Sequence, residues 1–176
     1  MARIRGYIGA SLDGFIADAD GGLDWMTAYE NADLGEAGYE PFIKTIRTLV
    51  MGRATYDFLA GAVVDWPYPD RRTIVVTSHP IVAPKGPVEV WSESIERLIT
   101  HLRALNDGDV WLAGGGKLQM AFIARGGLDE LDITLLPELI GGGIPLFPAM
   151  GVRSTPTLIH AKALDRGCVS LRYRFG

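Results

Sequence analysis

A predicted strand that turns directly into a helix through three glycines lies in the middle of this sequence. Residues 110–118 read Val-Trp-Leu-Ala-Gly-Gly-Gly-Lys-Leu, an apolar run that stops at the glycines and continues as a helical pattern. Glycine has no Cβ, so it allows backbone angles and close approaches that other residues forbid. A helix that starts at such a turn has free backbone N–H groups, which can bind phosphate. The turn therefore has two interpretations: a phosphate site, or a tight turn that lets a helix pack closely on a strand.

The glycine turn matches neither of two common phosphate-binding motifs. A P-loop requires Gly where Trp111 stands and Ser or Thr where Leu118 stands. The Rossmann pattern G-x-G-x-x-G requires a third glycine at position 119, which is Gln. Both motifs are excluded.

Strand and helix patterns alternate along most of the 176 residues. The predicted strands cover residues 3–10, 48–51, 73–77, 88–91, 109–113 and 130–136, and the predicted helices cover residues 36–47 and 95–105 and follow Gly52 and the glycine turn. This alternation is typical of a mostly parallel sheet with helices on both faces. Residues 157–164 and 168–175 predict a terminal antiparallel hairpin, whose alternating second arm should have one buried and one solvated face. We therefore predict a single α/β domain over residues 1–176.

Composition excludes several classes of protein. The net charge of −4 argues against nucleic-acid binding. The single Cys168 cannot form an internal disulfide, and the chain lacks the Cys and His spacing of a zinc site. No apolar run approaches the roughly 18 residues of a membrane span, and the first residues do not resemble a secretion signal. We expect a cytoplasmic protein without a metal site.

Three of the predicted strands end in glycine or polar residues. These ends are Gly52-Arg53, residues 77–79 (Thr-Ser-His) and residues 114–117. Taken singly, Arg53 has the alternative interpretation of an ordinary surface arginine, and residues 77–79 that of loop capping. In open α/β sheets, however, ligands bind beyond the carboxyl ends of the strands. Three such ends on one edge favour one extended anionic ligand.

The same segments resemble the dihydrofolate reductase superfamily over about residues 3–175. The motifs are Met-Gly-Arg-Ala-Thr-Tyr at 51–56, Arg-Arg-Thr-Ile-Val-Val-Thr-Ser at 71–78 and Ala-Gly-Gly-Gly-Lys at 113–117. Residues 10–14, 128–131 and 141–147 resemble the bacterial branch that is similar to the C-terminal reductase domain of RibD, in riboflavin biosynthesis. The resemblance implies a dihydrofolate-reductase-like three-layer α/β/α fold, and the riboflavin-type branch suggests a homodimer through an apolar face of the hairpin.

The resemblance also implies NADPH as cofactor. The residues that it assigns to the cofactor are Ala10, Ile16, Gly52, Arg53, Thr55, Thr77, Ser78, His79, Gly114, Gly115, Gly116, Lys117 and Leu118. Arg53 and Thr55 would hold phosphates, residues 77–79 would flank the adenosine 2′-phosphate, and residues 114–118 would cradle the pyrophosphate. Ala10 and Ile16 would contact the nicotinamide carboxamide.

The family's cis Gly–Gly peptide bond would fall at Gly115–Gly116. On the substrate side, Trp25 matches a Trp that closes the substrate loop. Arg71 matches an arginine that grips the folate tail, and Thr134 matches a threonine that supports the catalytic carboxylate.

Three carboxylates are candidates for the catalytic acid. In the resemblance Glu36 takes this position, and a shift in register would bring Glu40 there instead. Asp24 is the second candidate. Asp13 is the third, with bracing of its own turn as the alternative role. A buried carboxylate with a raised pKa could pass a proton to a ring nitrogen while NADPH reduces the adjacent carbon.

These observations predict an NADPH-dependent reductase of a small planar heterocycle, pteridine-like or pyrimidine-like. The alternatives are a true dihydrofolate reductase and a non-catalytic nucleotide-binding module of the same fold.

Overall fold

The computed structural model describes all residues from Met1 to Gly176. Its ten strands are β1 (Ile4–Ser11), β2 (Phe15–Ala17), β3 (Ile46–Gly52), β4 (Arg72–Val76), β5 (Val88–Trp91), β6 (Asp109–Gly114), β7 (Glu130–Leu136), β8 (Ile144–Pro145), β9 (Thr157–Ala163) and β10 (Val169–Arg174). Its four α-helices are α1 (Tyr39–Ile43), α2 (Arg53–Ala62), α3 (Ile95–Arg103) and α4 (Gly116–Ile123). Short 3₁₀ helices cover Asp24–Tyr29, Gly35–Ala37 and Asp165–Gly167. None of these helices has the length and apolar character that crossing a membrane requires.

Eight strands form one sheet in the order β5-β4-β3-β6-β1-β7-β10-β9. The first six in this order are parallel to one another, whereas β10 runs antiparallel to β7 and β9 antiparallel to β10. The prediction of a mostly parallel sheet with a terminal antiparallel hairpin is therefore confirmed.

Apolar side chains project from both faces of this sheet and form two cores. Val50 and Ile74 pack with Leu98 of α3 and Phe122 of α4. The neighbouring Leu49, Met51 and Val75 pack on the opposite face, with Phe42 of α1 and Tyr56 of α2. Because successive residues of a strand point to opposite faces, these buried strands read as continuous apolar runs. The result is the expected three-layer α/β/α arrangement.

The predicted helix over residues 36–47 is wrong in its length. Helix α1 covers only Tyr39–Ile43, and Gly38 is extended (φ −69°, ψ 165°), which separates α1 from the 3₁₀ helix Gly35–Ala37. Ile46 and Leu49, interpreted as part of a helical stripe, lie in β3 and are fully buried. The pairing of β3 with two strands outweighs the local helical spacing, and Pro41 is compatible only with a first helical turn.

The hairpin also differs from its predicted burial. Every residue of β9 is exposed, and Val169, Leu171 and Tyr173 of β10 are only partly buried. The polar residues that alternate along the second arm were expected on its solvated face, but one of them, Ser170, is 3% exposed and lies opposite Thr134 of β7. The sequence analysis also missed the small antiparallel pair of β2 and β8.

Candidate functional site

A cavity of about 520 Å³ lies at the carboxyl edge of the parallel sheet. The ends of β3, β4 and β6, the first turns of α2 and α4, and the loop after β7 surround it. Its lining residues are Gly52, Arg53, Ala54, Thr55, Val76, Gly115, Gly116, Lys117, Leu118, Ala121, Ile144, Pro145 and Pro148. The two glycine junctions found in the sequence thus face a single cavity.

Two helices begin at this cavity without side-chain caps. Gly52 precedes α2 in an extended conformation (φ −77°, ψ 164°), and Gly115 precedes α4 in a similar one (φ −77°, ψ −174°). In both helices the first N–H groups lack intrahelical partners, and the helix dipole adds partial positive charge at the same end. Lys117 adds a formal positive charge without a salt-bridge partner, Arg53 adds a second that is paired with Asp57, and no acidic residue lines the cavity. Its electrostatics favour an anion.

Arg53 connects two of the strand ends. Its Nε donates to both carboxylate oxygens of Asp57, at 2.8 and 2.9 Å, and its Nη1 donates to the Pro80 carbonyl at 3.2 Å. Pro80 directly follows residues 77–79. The guanidinium is therefore held between α2 and the loop after β4, with Nη2 free of protein partners.

Thr77, Ser78 and His79 lie beyond the cavity lining, since from this strand only Val76 lines it. The Thr77 hydroxyl accepts a hydrogen bond from His79 N at 3.2 Å, and the Ser78 hydroxyl lies 3.2 Å from His79 Nδ1. Ser78 and His79 are exposed. These polar groups are available to a ligand that extends from the cavity past Arg53.

The glycine turn between β6 and α4 has no room for a side chain at Gly116, whereas Gly115 has ordinary space. A Cβ on Gly116 would lie 2.9 Å from the Pro145 carbonyl oxygen and 3.0 Å from that of Leu146. A Cβ on Gly115 would lie 3.6 Å from the Thr55 hydroxyl of α2. The cis peptide bond joins Gly114 to Gly115, one residue earlier than the expected bond between Gly115 and Gly116. The turn serves both close packing and the cavity wall.

A narrow slot opens where β1 and β6 separate. Their pairing stops at Gly6 and Leu112; β1 continues along β7 to Ser11, and β6 continues along β3 to Gly114. The slot has a volume of about 10 Å³. Its lining residues are Tyr7, Ile8, Ile16, Leu112, Ala113, Gly114, Gly115, Gly116, Gln119 and Leu146. Because Gly115 and Gly116 line both spaces, the slot adjoins the cavity.

Backbone direction decides which residues of β1 present polar groups to the slot. Val110 N donates to the Arg3 carbonyl, toward β6, and Asp129 N donates to the Ile4 carbonyl, toward β7, each at 2.8 Å. Successive strand residues direct these groups to opposite sides, so Gly9 faces the gap left by β6. Ala10 faces β7, and its side chain is fully buried in the core. Of the two residues expected at the nicotinamide, the structure places Ile16 in the slot and Ala10 behind it.

The expected substrate residues lie at separate places in the fold: Trp25 in the 3₁₀ helix Asp24–Tyr29, Thr134 in β7 and Arg71 just before β4. Met26, next to Trp25 in the 3₁₀ helix Asp24–Tyr29, lies over Gly9: a Cβ on Gly9 would be 2.6 Å from its Cε. Thr134 is buried in the same cross-strand row as Gly9. Arg71 donates from Nη2 to the Ile43 carbonyl at 3.3 Å, and its buried Nε has no partner.

An aromatic cluster joins Tyr7 of β1 and Trp111 of β6 to helix α1. The Tyr7 ring stacks on Phe42 with centroids 4.7 Å apart, and Trp111 contacts Tyr39 and Phe42 edge to face at 5.9 and 5.6 Å. The Tyr7 hydroxyl donates to the Ala37 carbonyl at 3.1 Å. Burial, with a smaller contribution from the charge of Asp132, raises the pKa of Tyr7 to about 12. Tyr7 is therefore protonated at neutral pH.

The three candidate acids, and the alternative Glu40, are all exposed, so the expectation of a buried carboxylate is wrong for each of them. Glu36 precedes Ala37, whose carbonyl is tied to Tyr7 at the slot. Asp24 begins its 3₁₀ helix.

Asp13 differs from the other acids because it is held by hydrogen bonds. Its carboxylate accepts from the Ser11 hydroxyl at 2.6 Å and from the backbone N–H groups of Ile140 and Gly141 at 3.3 and 2.8 Å. The Ser11 hydrogen bond, more than any other contact, lowers the pKa of Asp13. An ionised carboxylate held in this way joins the turn after β1 to the second glycine-rich loop.

Sequence reasoning missed two parts of the site. The loop of Ile144, Pro145 and Pro148 forms the cavity wall opposite the helices, and its signal was the glycine run at 141–143 followed by proline. Tyr7 and Gln119 line the slot. No local pattern marks either residue, because the slot depends on the separation of two strands that are about a hundred positions apart in the chain.

Comparisons with known proteins agree with this geometry. A structure described as a putative riboflavin biosynthesis protein from Shewanella sp. PV-4 superposes with a TM-score of 0.87 and 28% identity, covering 100% of this chain and 99% of that one. A Thermotoga maritima diaminohydroxyphosphoribosylaminopyrimidine deaminase/5-amino-6-(5-phosphoribosylamino)uracil reductase gives a TM-score of 0.71 at 14% identity, over 99% of this chain and 57% of that chain.

Dihydrofolate reductase from Enterococcus faecalis, complexed with NADP(H) and RAB-propyl, gives a TM-score of 0.66 at 24% identity, over 99% of this chain and 96% of that one. The likeness to these last two structures confirms the dihydrofolate-reductase-like fold. The sequence model of the RibD C-terminal domain matches residues 4–170. This chain therefore belongs to the RibD C-terminal domain family, a family of reductase-like domains.

Proposed function

We propose that the protein is an NADPH-dependent reductase of a small planar heterocycle. The observation that carries the proposal is the convergence of two uncapped helix N-termini, Arg53 and Lys117 on one cavity without acidic residues. Membership of the RibD C-terminal domain family supports a reductase, and the NADP(H) named in the Enterococcus complex supports the cofactor.

The cavity residues fit a phosphorylated dinucleotide. The N–H groups at the start of α4 and α2 would bind the pyrophosphate, with Lys117 and Arg53 as counter-charges. Ser78 and His79, beyond Arg53, would meet the adenosine 2′-phosphate. A site for NADH would be expected to present a carboxylate to the free ribose hydroxyls, and residues 77–79, where we place that ribose, include none.

The ring end of the cofactor would lie at the slot between β1 and β6. Bound NADPH supplies the hydride, and the protein supplies position and exclusion of water. We place the contacts to the nicotinamide carboxamide at Ile16 and at the backbone of Gly9. The backbone polar groups of Gly9 face the gap beside β6, whereas those of Ala10 face β7.

Glu36 is our first candidate for the catalytic acid. Its 3₁₀ helix is anchored to the slot by the Tyr7–Ala37 hydrogen bond, so closure of this segment over a substrate would bring its carboxylate toward the reacting ring. Asp24 is the second candidate. Asp13 is the weakest candidate, because its oxygens already accept three hydrogen bonds.

The substrate would bind under Trp25 and above Thr134. Arg71, whose buried Nε has no partner, would contact an anionic group of the substrate. The uracil reductase named in the Thermotoga structure favours a pyrimidine, and the Enterococcus dihydrofolate reductase favours a pteridine. A true dihydrofolate reductase is thus the second candidate; it predicts antifolate binding that is lost in Glu36→Gln and Arg71→Ala.

The test is NADPH oxidation, followed at 340 nm with dihydrofolate and with the riboflavin-pathway pyrimidine. Cofactor binding is measured separately by fluorescence titration of wild type, Arg53→Ala, Lys117→Ala and the control Arg97→Ala. Arg97 is an exposed arginine on α3, outside the cavity, so only the first two variants should weaken NADPH binding. NADPH binding without turnover of any pterin or pyrimidine would support the alternative of a non-catalytic nucleotide-binding module. Absence of NADPH binding would refute both.

We also propose that the protein forms a homodimer through the hairpin β9–β10. The edge strand β9 is exposed along its whole length, and Leu158 and Ile159 are 49% and 38% exposed. A second copy would cover this apolar surface and the unpaired edge of β9. Sedimentation that shows a monomer at micromolar concentration would contradict the proposal.

A further inference from the structure

Gln119 is a buried polar residue whose carboxamide has no partner in the protein. The residue is 4% exposed, it lies on the second turn of α4, and its Nε2 is enclosed without a hydrogen-bond acceptor. Its Oε1 makes no side-chain hydrogen bond either and lies close to Gly6 of β1, 3.5 Å from the position that a Cβ would take there. Burial of an amide without partners costs free energy that an apolar residue of the same size would not.

The location of this carboxamide indicates a function that would offset this cost. Gln119 lines the slot between β1 and β6, together with Ile16 and the glycine turn. Gly115 and Gly116 connect the slot to the dinucleotide cavity, and Gln119 follows them by one helical turn. The slot volume of about 10 Å³ admits a single polar atom or one water molecule, not a ring. Gln119 therefore faces the place where one polar substituent of a ring can enter.

We infer that the Gln119 carboxamide hydrogen-bonds the carboxamide of the nicotinamide ring and holds that ring at the mouth of the slot. The inference rests on the proposed function. The carbonyl oxygen of that carboxamide is an acceptor, which the enclosed Nε2 of Gln119 lacks, and a single such atom is what the slot admits. The other groups of the slot are apolar side chains, glycines and the Tyr7 hydroxyl, which is already bonded to Ala37.

The experiment replaces Gln119 by Met, which has a similar volume and no hydrogen-bonding amide. Affinities for NADPH and for 2′-phospho-ADP-ribose, which lacks the nicotinamide, are measured by calorimetry for both proteins. Gln119→Met should weaken NADPH binding by about three- to tenfold, the range expected for one hydrogen bond. Binding of 2′-phospho-ADP-ribose should stay unchanged, because the phosphate contacts are intact.

Met120→Leu is the matched control on the same helix. Met120 is buried beside Gln119 but does not line the slot, and the substitution conserves volume. It should leave both affinities at the wild-type values. Thermal unfolding without ligand should show Gln119→Met as stable as wild type or more so, because an unsatisfied buried amide is removed.

Each outcome bears on a different claim. Equal NADPH affinity of Gln119→Met and wild type overturns the inference and leaves the proposed function intact. Equal weakening of NADPH and 2′-phospho-ADP-ribose also overturns it, because the residue would then act on the whole of α4. A wild-type protein that binds neither ligand refutes the proposed function itself.

Discussion

Gly116 lies where the helix start, the cavity and the second glycine-rich loop meet, and its replacement by Ala should disturb all three. A Cβ there would lie 2.9 Å from the Pro145 carbonyl oxygen, 2.9 Å from Pro148 Cδ and 3.0 Å from the Leu146 carbonyl oxygen. Two of these three atoms are backbone atoms, and the third belongs to a proline ring. None of them can rotate away, so relief of the contact requires movement of the loop itself.

The cost of that movement can be estimated from two opposing terms. Overpacking of a well-packed site costs about 1–3 kcal/mol. Replacement of Gly by Ala within a helix stabilises by roughly 0.5–1 kcal/mol. For Gly116→Ala these two terms leave a loss of about 0–2.5 kcal/mol in the free energy of unfolding. In a chain of this size the melting temperature should fall by up to about 10 °C, and the whole overpacking cost of about 1–3 kcal/mol separates this variant from a Gly→Ala change that meets no contact.

Gly61→Ala is the matched control. Gly61 lies within helix α2, and no atom is within 4 Å of the position that its Cβ would take. Only the helix-propensity term remains, so its melting temperature should rise by about 1–4 °C. Both variants are compared with wild type by thermal and urea unfolding and by NADPH titration. Gly116→Ala should also weaken NADPH binding, since Gly116 and Pro145 both line the cavity. The reasoning is refuted if Gly116→Ala is as stable as Gly61→Ala.

Three further predictions follow from the polar groups. Ser78→Ala should weaken NADPH binding by about threefold and leave NADH binding unchanged in fluorescence titrations, because only NADPH carries the 2′-phosphate. Asp13→Ala should weaken NADPH binding, because it removes the hydrogen bond that holds Gly141. In wild type this Asp13–Gly141 brace is present above pH 3.8 and is lost as the pH falls through the lowered pKa of Asp13. A pH series of limited proteolysis can follow this loss. Wild type should lose stability as the pH rises from 10 to about 12, because unfolded tyrosine ionises at 10 and folded Tyr7 at about 12. In Tyr7→Phe that part of the loss should be absent, and the ultraviolet titration should lack its component near pH 12.

A specific result would contradict each of these three predictions. Equal losses for NADPH and NADH in Ser78→Ala would place the residue outside the 2′-phosphate contact. Proteolysis of the wild-type turn at neutral pH as fast as in Asp13→Ala would show that the brace does not hold the loop. A titration of Tyr7→Phe that lacks a component near pH 10 instead of near pH 12 would mean that Tyr7 ionises like an exposed tyrosine.

The sheet and the cavity were predictable because their determinants are local. Strands such as β4, with Ile74 and Val75, are buried on both faces, so their sequence is continuously apolar and easy to recognise. Phosphate binding at a helix start requires glycine and free N–H groups at one strand end, and both are visible in residues 114–117. Because the parallel strands all end at the same edge of the sheet, the location of the cavity at that edge follows from strand direction alone.

The helix over residues 36–47 shows where local patterns stop being sufficient. Apolar residues at 42, 43, 46 and 49 satisfy a helical stripe, yet the last two belong to a strand with an irregular register. Only the hydrogen bonds that β3 makes with β4 and β6 distinguish these alternatives. Those partners lie more than twenty and sixty positions further along the chain.

The substrate side depends on such distant contacts almost entirely. The segment of residues 24–37 carries Trp25 and two of the candidate acids, and it contains only 3₁₀ helices and turns. Side-chain hydrogen bonds attach it to the rest of the molecule: Tyr7 to the Ala37 carbonyl, Tyr29 to Glu138, and Arg166 to the Ala28 carbonyl.

This difference in attachment has a functional consequence. The proposed cofactor site uses mainly backbone groups and glycines of the sheet and adjoining helix starts, which change little when surface side chains change. The candidate acids and Trp25 lie on a segment whose position depends on individual side chains. Substitution of Tyr7 or Arg166 can therefore move the proposed substrate side while the cavity between α2 and α4 stays the same. On the proposed function, a domain built in this way would keep its cofactor and change its substrate.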